Sequence, residues 1–270
     1  MSVDRLQAHW GLTRMPFGKD VPVGSLSRHR SFQEAVARVS WAVAQRQVAV
    51  VTGEVGSGKT VAVRAALAGL EPARHLPVYV PDPTITLRGV HSQITAALGG
   101  SPQFYTGMLA TQTARLLAGE LDERGRLPVV VIDEAHLLSN MELESLRMLT
   151  NCSMDSESTF ALVLVGQPTL RRRLKLAVLA ALDQRVGVRC QMAGMDPAET
   201  ADYVKAHLAW AGRTELLFAD DALAEIWQAS RGRPRAVNNL ATSAMVAAYA
   251  AGKAIVDKEC AVAAVVEDGE

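Results

Sequence analysis

The sequence predicts an α/β domain with a five-stranded parallel sheet, followed by a small domain that is entirely helical. Up to about residue 192, five short apolar runs alternate with segments in which apolar residues recur at helical spacing. This alternation is typical of buried parallel strands covered by helices on both faces. Beyond that point no β-branched run follows, and 14 alanines occur between residues 201 and 250. The last part of the chain is therefore predicted to be all helix.

The predicted elements follow one another along the chain in a regular order. A helix over residues 32–43 leads into the first strand. Strands are predicted at residues 48–51, 77–80, 129–132, 160–165 and 186–190, and helices at residues 59–70, 87–98, 106–120, 141–149 and 169–182. We expect three regions: an irregular N-terminal arm over 1–30, rich in glycine and proline, the α/β domain over 31–192, and a helical lid with an acidic tail over 193–270.

Composition limits the classes of function. The 28 basic residues balance the 28 acidic ones, which excludes a strongly basic monomeric binder of nucleic acid. Aromatic residues are only 5% of the chain, so a stacking platform for single strands is not expected. Cys152, Cys190 and Cys260 are far apart and no histidines have metal-ligand spacing, which predicts a reducing compartment and no structural zinc. No apolar stretch is long enough for a leader or a span, so we expect a cytoplasmic protein without a membrane partner.

A glycine-rich motif lies between the first strand and the next helix. Residues 53–60 read GEVGSGKT and match GxxxxGK[ST] in full, the pattern of a phosphate-binding loop (P-loop). The glycines let backbone N–H groups converge on phosphate oxygens, and the helix N-terminus favours negative charge. A glycine-rich turn that binds nothing is the alternative. We expect ATP and Mg²⁺ as cofactors. Lys59 is expected to contact the β and γ phosphates, and the hydroxyl of Thr60 to bind Mg²⁺, whereas residues 54 and 55 have no assigned chemistry. The residues expected to hold the nucleotide are Gly53, Glu54, Val55, Gly56, Ser57, Gly58, Lys59 and Thr60.

An acidic pair follows the third predicted strand. Asp133 and Glu134 come directly after the apolar run at 129–132, at the carboxyl end of what we expect to be a neighbouring buried strand. Asp133 is predicted to hold Mg²⁺, and Glu134 to orient or deprotonate the water that attacks the γ-phosphate. The pair could instead cap the following helix, but the P-loop favours the catalytic interpretation.

Six stretches give the chain a family resemblance. MPFGKDVP, TGEVGSGKT, VVVIDEAHLLS, LVGQPTLRRRL, LDQRV and RGRPRAVNNL together resemble AAA+ ATPases over roughly residues 30–265. More narrowly, they are similar to the group that includes the secretion ATPase ExeA and the transposition regulators TniB and MuB. The resemblance implies a P-loop NTPase fold (AAA+) with a C-terminal helical lid, and Mg²⁺-dependent hydrolysis of ATP to ADP. It also implies a homo-oligomeric ring or helical filament, because a neighbouring subunit completes each site.

Two sensor residues are implied by the resemblance. Gln167, after the fourth strand, matches the residue that senses the γ-phosphate, although many AAA+ proteins have Asn, Thr or Ser there. Arg235 matches the lid residue that contacts nucleotide and reports closure. Arg231 and Arg233 lie nearby and are less well aligned with the family motif.

The resemblance also implies an arginine finger that reaches the nucleotide of the adjacent subunit. Arg185, just before the last strand, matches it, and Arg189 is the competing candidate. A guanidinium suits this function because it spreads its charge over a planar fork and stays protonated. An ion pair of Arg185 with Asp183 is the alternative.

The leading functional hypothesis is an ATP-dependent protein that binds duplex DNA without strong sequence specificity and selects or activates the target for a DDE-type transposase. Secretion-type relatives continue into a membrane span and a cell-wall-binding module, and neither is seen in this sequence. The alternative is a nucleotide-switched protein–protein scaffold, or a secretion-type ATPase that does not bind DNA. A small-molecule kinase would have no reason to carry Arg185 and Arg235 in these contexts.

Charge is distributed unevenly along the chain. Residues 171–189 contain six basic residues and one acidic residue, a balance of +5, whereas residues 253–270 contain two basic and five acidic residues, a balance of −3. The candidate DNA contacts are Arg171, Arg172, Arg173 and Lys175, with Arg88 added because relatives contact DNA from that side of the domain. A solvated helix face or a subunit contact is the alternative. With no helix-turn-helix or zinc finger in the sequence, DNA binding is expected to be sequence-tolerant and salt-sensitive.

Overall fold

The computed structural model of the chain describes residues 2–18, 21–22, 24, 27–81, 87–150 and 158–268. The chain divides into two compact units. The first unit comprises residues 33–55 and 59–192, and the second comprises residues 1–32, 56–58 and 193–270.

A five-stranded parallel sheet forms the centre of the first unit. The strands are β1 (Val48–Gly53), β2 (His75–Val80), β3 (Leu127–Ile132), β4 (Ala161–Gly166) and β5 (Val186–Met192), in the spatial order β2-β3-β4-β1-β5. All four neighbouring pairs are parallel. Every residue of the three inner strands is buried, which explains why these strands are continuous apolar runs. The predicted five-stranded parallel sheet is confirmed.

Helices occupy most of the remaining described residues. They are α1 (Val3–Trp10), α2 (Arg30–Ala44), α3 (Lys59–Ala68), α4 (Leu87–Ala97), α5 (Thr106–Asp122), α6 (Asn140–Leu149), α7 (Pro168–Leu174), α8 (Ala180–Arg185), α9 (Pro197–Trp210), α10 (Asp220–Ser230), α11 (Pro234–Ala250) and α12 (Lys258–Asp268). The last four make the C-terminal region helical, as predicted. Asp196 and Pro197 start α9 with a capping box and a proline at the first helical position.

The single helix predicted over residues 169–182 is interrupted. α7 ends at Leu174, a 3-10 turn spans Ala177–Leu179, and α8 starts at Ala180. Leu174 and Leu179, on either side of this break, are both buried in the core. The predicted helix is thus two shorter helices joined by a 3-10 turn.

The N-terminal segment differs from the irregular arm that its glycines and prolines predict. Residues 3–10 form α1, whose Leu6 and Trp10 are buried among the helices of the second unit. Gly11 ends α1 in the left-handed conformation, with φ of 63°. The glycine that suggested irregular chain thus acts as a helix C-cap.

The residues after α1 are also attached to the second unit. The backbone N–H and the hydroxyl of Thr13 both donate to the carbonyl oxygen of Ala211, at 2.9 and 3.0 Å. His207 Nδ1 donates to the carbonyl oxygen of Pro16 at 2.8 Å, and Phe17 stacks on the His207 ring. These long-range contacts make the segment part of the helical core.

Three observations concern membranes, thiols and metals. No helix among the described residues is long and apolar enough to span a membrane. Cys190 and Cys260 are buried free thiols, and Cys152 lies outside the described residues. Within the described part of the chain, no group of three or more His, Cys, Asp and Glu side chains is arranged to hold a metal ion.

Candidate nucleotide-binding site

The P-loop connects β1 to α3, which is the context that its mechanism requires. β1 ends at Gly53 and α3 begins at Lys59. Gly56 and Gly58 have φ of 78° and 86°, in the left-handed region that glycine adopts without strain. A Cβ added at Gly56 would lie 2.8 Å from the Cβ of Arg235. Glycine is therefore required at position 56 for space as well as for conformation.

Two side chains of the loop fit a phosphate ligand. Lys59 is only 7% exposed, and its ammonium donates to the carbonyl oxygens of Gly53 and Glu54, at 2.9 Å each. The hydroxyl of Ser57 is buried without a hydrogen-bond partner among the described residues. Because a buried unpaired hydroxyl is costly, a ligand oxygen at this loop would relieve it. Glu54 and Val55 are exposed, in keeping with their unspecified positions in the motif.

Asp133 is held by hydrogen bonds to both of its carboxylate oxygens. The hydroxyl of Thr60 donates to Oδ2 at 2.8 Å, and the backbone N–H of Glu134 donates to Oδ1 at 2.9 Å. The two residues predicted as magnesium ligands from separate motifs are thus in contact. One hydroxyl and one carboxylate beside a phosphate site are oxygen donors of the kind that Mg²⁺ takes, so Thr60 and Asp133 would fit this ion.

Tyr79, which belongs to none of the sequence motifs, joins this cluster. Its hydroxyl donates to Oδ2 of Asp133 at 2.9 Å. Partial burial, the hydrogen bond to Asp133 and the charges of Asp133 and Glu134 raise the pKa of Tyr79 well above the ordinary range of a tyrosine. The phenol therefore stays protonated and donates throughout the physiological pH range. Its proximity to Asp133 becomes visible only once the pairing of β2 with β3 is known.

Glu134 has an unusual backbone conformation. Its φ of 48° and ψ of 32° lie in the left-handed region, which is uncommon for residues other than glycine. Its carboxylate is half exposed, and one oxygen lies 3.3 Å from His136 Nδ1. Strained conformations of this kind are found at functional sites, but Arg231 adopts the same conformation as a helix cap, so the backbone is compatible with both interpretations of Glu134.

The carboxyl ends of three adjacent strands bring these groups to one edge of the sheet. β4 lies between β1 and β3, so the acidic pair follows the second strand from the P-loop strand rather than an immediate neighbour. Gln167 follows β4 directly and occupies the N-cap position of α7. A Cβ added at Gly166 would lie 3.1 Å from the backbone nitrogen of His136, so this glycine allows close packing beside the acidic pair. Ligands of open α/β sheets bind at this edge.

Arg185 and Arg189 are held differently. Arg189 donates to the carbonyl oxygen of Asp183 at 2.7 Å and to its carboxylate at 2.8 Å, and Lys175 pairs with the same carboxylate. Burial alone would raise the pKa of Asp183, but these two cations lower it overall. Arg185 is half-buried at the end of α8 and donates to the Thr150 hydroxyl at 3.3 Å. The Asp183 pairing considered for Arg185 is thus made by its competitor.

The lid arginines lie in the second unit near the start of α11. The backbone N–H of Arg235 donates to the carbonyl oxygen of Gly56 at 3.2 Å, and both residues belong to this unit. Arg231 is the left-handed C-cap of α10, and Nε of Arg233 donates to the carbonyl oxygen of Ser230. Arg235 therefore contacts Gly56 of the P-loop, whereas Arg231 and Arg233 form the turn between α10 and α11.

Arg173 is used inside the fold of the first unit. It is half-buried and donates to the carbonyl oxygen of His136 and to Oδ1 of Asn140, at 2.8 Å each. It therefore supports the turn that follows the acidic pair. This placement differs from the DNA contact predicted for it.

The other basic residues of α7 and its C-cap are nearer to solvent. Arg171 donates to the side-chain oxygen of Gln191 at 2.6 Å, Lys175 pairs with Asp183 at 2.8 Å, and Arg172 is exposed. Only Lys175 of these three has its charge paired by a carboxylate in the described residues.

Arg88 lies beside an exposed aromatic pair. Its Nε donates to the carbonyl oxygen of Phe104 at 3.1 Å, and its guanidinium lies 5.6 Å from the centroid of the Phe104 ring. Phe104 and Tyr105 are 77% and 69% exposed and pack edge to face. Nothing in the local sequence pattern indicated that two aromatic rings would be exposed here.

The P-loop, the acid after β3 and the strand order define a P-loop NTPase of the AAA type. Residues 43–174 match the family described as "AAA domain", and this part of the chain is an AAA-family ATPase domain.

Most of the chain is also similar to General secretion pathway protein A of Aeromonas hydrophila. The two are 30% identical over 252 residues, which is 90% of this chain and 45% of that protein. The chain therefore spans less than half the length of this relative.

Several solved structures share the fold. The ORC1 protein of Aeropyrum pernix in complex with DNA has a TM-score of 0.69 and 19% identity, over 93% of this chain and 68% of that one. Cdc6p of Pyrobaculum aerophilum has a TM-score of 0.67 and 17% identity, over 89% and 67%. The RuvB branch migration motor of Thermotoga maritima has a TM-score of 0.57 and 17% identity, over 86% and 67%. At such identities the likeness concerns the fold alone.

Proposed function

We propose that this protein is a Mg²⁺-dependent ATPase that hydrolyses ATP to ADP and phosphate. The hydrogen bond between Thr60, the last residue of the P-loop, and Asp133 carries this proposal. The backbone N–H groups of residues 56–59 bind the phosphate oxygens, and Lys59 exchanges its carbonyl partners for the β and γ phosphates. Thr60 and Asp133 would hold Mg²⁺, whose charge would offset that of those phosphates.

The remaining site residues act on the γ-phosphate and its attacking water in this proposal. Glu134 orients the water and accepts its proton, and Gln167 contacts the γ-phosphate. Arg185 stabilises the charge of the transition state in the neighbouring subunit, and Arg235 couples the nucleotide to the helical unit.

The substitution Glu134→Gln tests this assignment. It keeps the shape of the side chain but removes the base, so ATP binding is retained while turnover falls by about 10²- to 10⁴-fold. Glu71→Gln, at an exposed ion pair with Arg74, is the matched control and leaves turnover unchanged. Wild-type turnover in Glu134→Gln would refute the catalytic assignment, and a wild-type protein that binds no ATP would refute the ATPase proposal itself.

We further propose that the ATP-bound protein assembles on duplex DNA and serves a transposase. Residues 83–119 contain no Asp or Glu, and this part of the chain includes Arg88 and Arg115 together with the exposed Phe104 and Tyr105. Cations without competing carboxylates are what a phosphate backbone requires. By the same criterion Arg171 and Arg172 remain candidates in α7, whereas the partners of Arg173 and Lys175 argue against them.

DNA binding is tested by gel shift and electron microscopy with ATP, with ADP and with Glu134→Gln. We expect ATP-dependent assemblies whose affinity for DNA falls as salt rises, because bound cations displace counterions. Arg88→Ala weakens binding, and the slope of log affinity against log salt concentration becomes less steep by about one. Lys205→Ala, at an exposed position of α9, is the control and changes neither quantity.

A nucleotide-switched protein–protein scaffold is the second candidate. The observation that favours it is the 30% identity with General secretion pathway protein A. Under this alternative ATP binding and assembly persist, but no DNA is bound in any nucleotide state, even at low salt. The same assays therefore distinguish the two candidates.

A further inference from the structure

We propose that Tyr79 is a positioning residue for the magnesium site, and that its hydroxyl holds the carboxylate of Asp133 in the orientation that receives the cation. The inference rests on the proposed function, because it concerns the same nucleotide site. Tyr79 lies outside both the P-loop and the acidic pair, and the fold alone brings it to Asp133.

The pairing of β2 with β3 fixes the placement of Tyr79. Tyr79 is opposite Val131, so Asp133 is its diagonal neighbour two residues farther along the same face. The hydrogen bonds between the two strands continue past the end of β3, because the backbone N–H of Asp133 donates to the carbonyl oxygen of Val80 at 3.0 Å. Val78 and Val80 are buried in the core on the other face, which leaves Tyr79 on the side of Asp133.

The hydrogen bonds of Asp133 show what the phenol contributes. Oδ2 accepts from both Thr60 and Tyr79, at 2.8 and 2.9 Å, while Oδ1 accepts from the backbone of Glu134. A hydroxyl that offers an oxygen lone pair to a cation keeps its proton, so Thr60 would hold the metal and still donate to Oδ2. Tyr79 supplies the second side-chain donor on the same oxygen and, unlike Thr60, has no other part in the site. With donors on both oxygens, the carboxylate does not have to be ordered by the metal itself, and outer partners of this kind tune metal affinity.

The test is a magnesium titration of nucleotide binding that requires no turnover. A fluorescent, non-hydrolysable ATP analogue is bound first in EDTA and then at increasing Mg²⁺. In Tyr79→Phe the affinity in EDTA is unchanged, and the Mg²⁺ concentration at half-maximal effect rises about 10-fold. Tyr203→Phe is the matched control: it removes a 2.9 Å hydrogen bond to Asn238 in the second unit and leaves the magnesium midpoint unchanged.

The possible outcomes separate this inference from the function on which it rests. An unchanged or lowered magnesium midpoint in Tyr79→Phe overturns the positioning role. Weaker binding of the analogue in EDTA also overturns it, because the phenol would then act on the nucleotide rather than on the metal. If the wild-type protein binds no analogue, or binds it without any effect of Mg²⁺, the proposed function fails instead. Equal thermal unfolding midpoints of Tyr79→Phe and wild type without nucleotide confirm that the fold is intact.

Discussion

Arg189 is bound to Asp183 through both the carbonyl and the carboxylate oxygen, and that carboxylate also binds Lys175. An arginine finger has to exchange its partners for phosphate oxygens of another subunit. Arg189 would have to leave an ion pair and a carbonyl to do so, and Asp183 would lose one of its two cations. These bonds argue against Arg189 as the finger, and Arg185, which also has partners in its own subunit, stays the proposed finger on the family resemblance.

The two arginines are therefore predicted to respond differently to truncation. Arg185→Ala retains ATP binding and lowers turnover by about 10³- to 10⁵-fold, because the charge of the transition state loses its donor. Arg189→Ala keeps turnover near the wild-type level but lowers the free energy of unfolding by about 1 kcal/mol, as expected for a partly exposed ion pair. Steady-state hydrolysis and urea unfolding of both variants measure the two effects. The reverse pattern would identify Arg189 as the finger.

The site could be predicted only where its residues are close together in the sequence. Residues 53–60 form one continuous motif, and Asp133 directly follows the apolar run at 129–132 that predicts a buried strand. The contact of Tyr79 with Asp133 depends instead on strand register. The inward position of Arg173 depends on the path of the turn at His136, which sequence spacing does not reveal. Contacts between distant segments were thus the part that could not be predicted.

At the scale of elements, inner strands are easier to predict than terminal segments. β1, β3 and β4 are buried on both faces, so burial appears directly as apolar runs. α1 has only eight residues, too few for a stable isolated helix, and its glycine and proline neighbours suggested irregular chain. Its stability comes from residues 200 or more positions away: Arg213 donates to the carbonyl oxygen of Trp10, and the ring of Tyr249 packs edge to face with His9. Local pattern carries no information about such partners.

Packing of α1 is predicted to stabilise the second unit substantially. Trp10 is 1% exposed, so Trp10→Ala removes a large buried side chain and lowers the free energy of unfolding by about 3 to 5 kcal/mol. The indole N–H is buried without a partner among the described residues, so Trp10→Phe also removes an unpaired donor and costs much less. Urea unfolding followed by circular dichroism measures both variants. Equal stability of Trp10→Ala and wild type would show that α1 does not stabilise the second unit by packing in its core.

His207 is predicted to make the second unit sensitive to acid. Burial lowers its pKa, although the bond to the Pro16 carbonyl opposes that shift. A carbonyl only accepts, so Nδ1 carries the proton, and Nε2 is buried without a partner among the described residues. As pH falls below about 6.5, the unfolded chain binds a proton before the folded one does, and stability decreases toward the lower folded pKa.

The substitution His207→Asn provides the measurement. It retains a donor for the Pro16 carbonyl but does not titrate, so its unfolding midpoint depends less on pH between about 7 and 5 than that of the wild type. His29, in the same unit, also has a pKa lowered by burial, partly offset by Glu199, and His29→Asn is made in parallel to separate the two contributions. If His207→Asn showed the wild-type pH dependence, another group would be responsible.

At the scale of the whole molecule, a net charge of zero limits how the protein can bind a polyanion. Under the DNA proposal, cations that no carboxylate pairs among the described residues, such as Arg88 and Arg172, would give one subunit only weak attraction for DNA. Linked subunits add their contacts along the same duplex, so ATP-dependent assembly can convert weak sites into stable binding. Assembly is equally required by an arginine finger that acts in a neighbour. The decisive property of the molecule is therefore whether its active sites are shared between subunits.

Sharing of active sites is tested by mixing two inactive variants. Glu134→Gln lacks the base but keeps Arg185, and Arg185→Ala lacks the finger but keeps Glu134. In a head-to-tail assembly of equal amounts, roughly one quarter of the interfaces join an intact base to an intact finger, so the mixture recovers about a quarter of wild-type turnover. Each variant alone stays inactive at every protein concentration. A mixture with no recovered activity, although both variants co-assemble with ATP, would show that Arg185 does not act in trans.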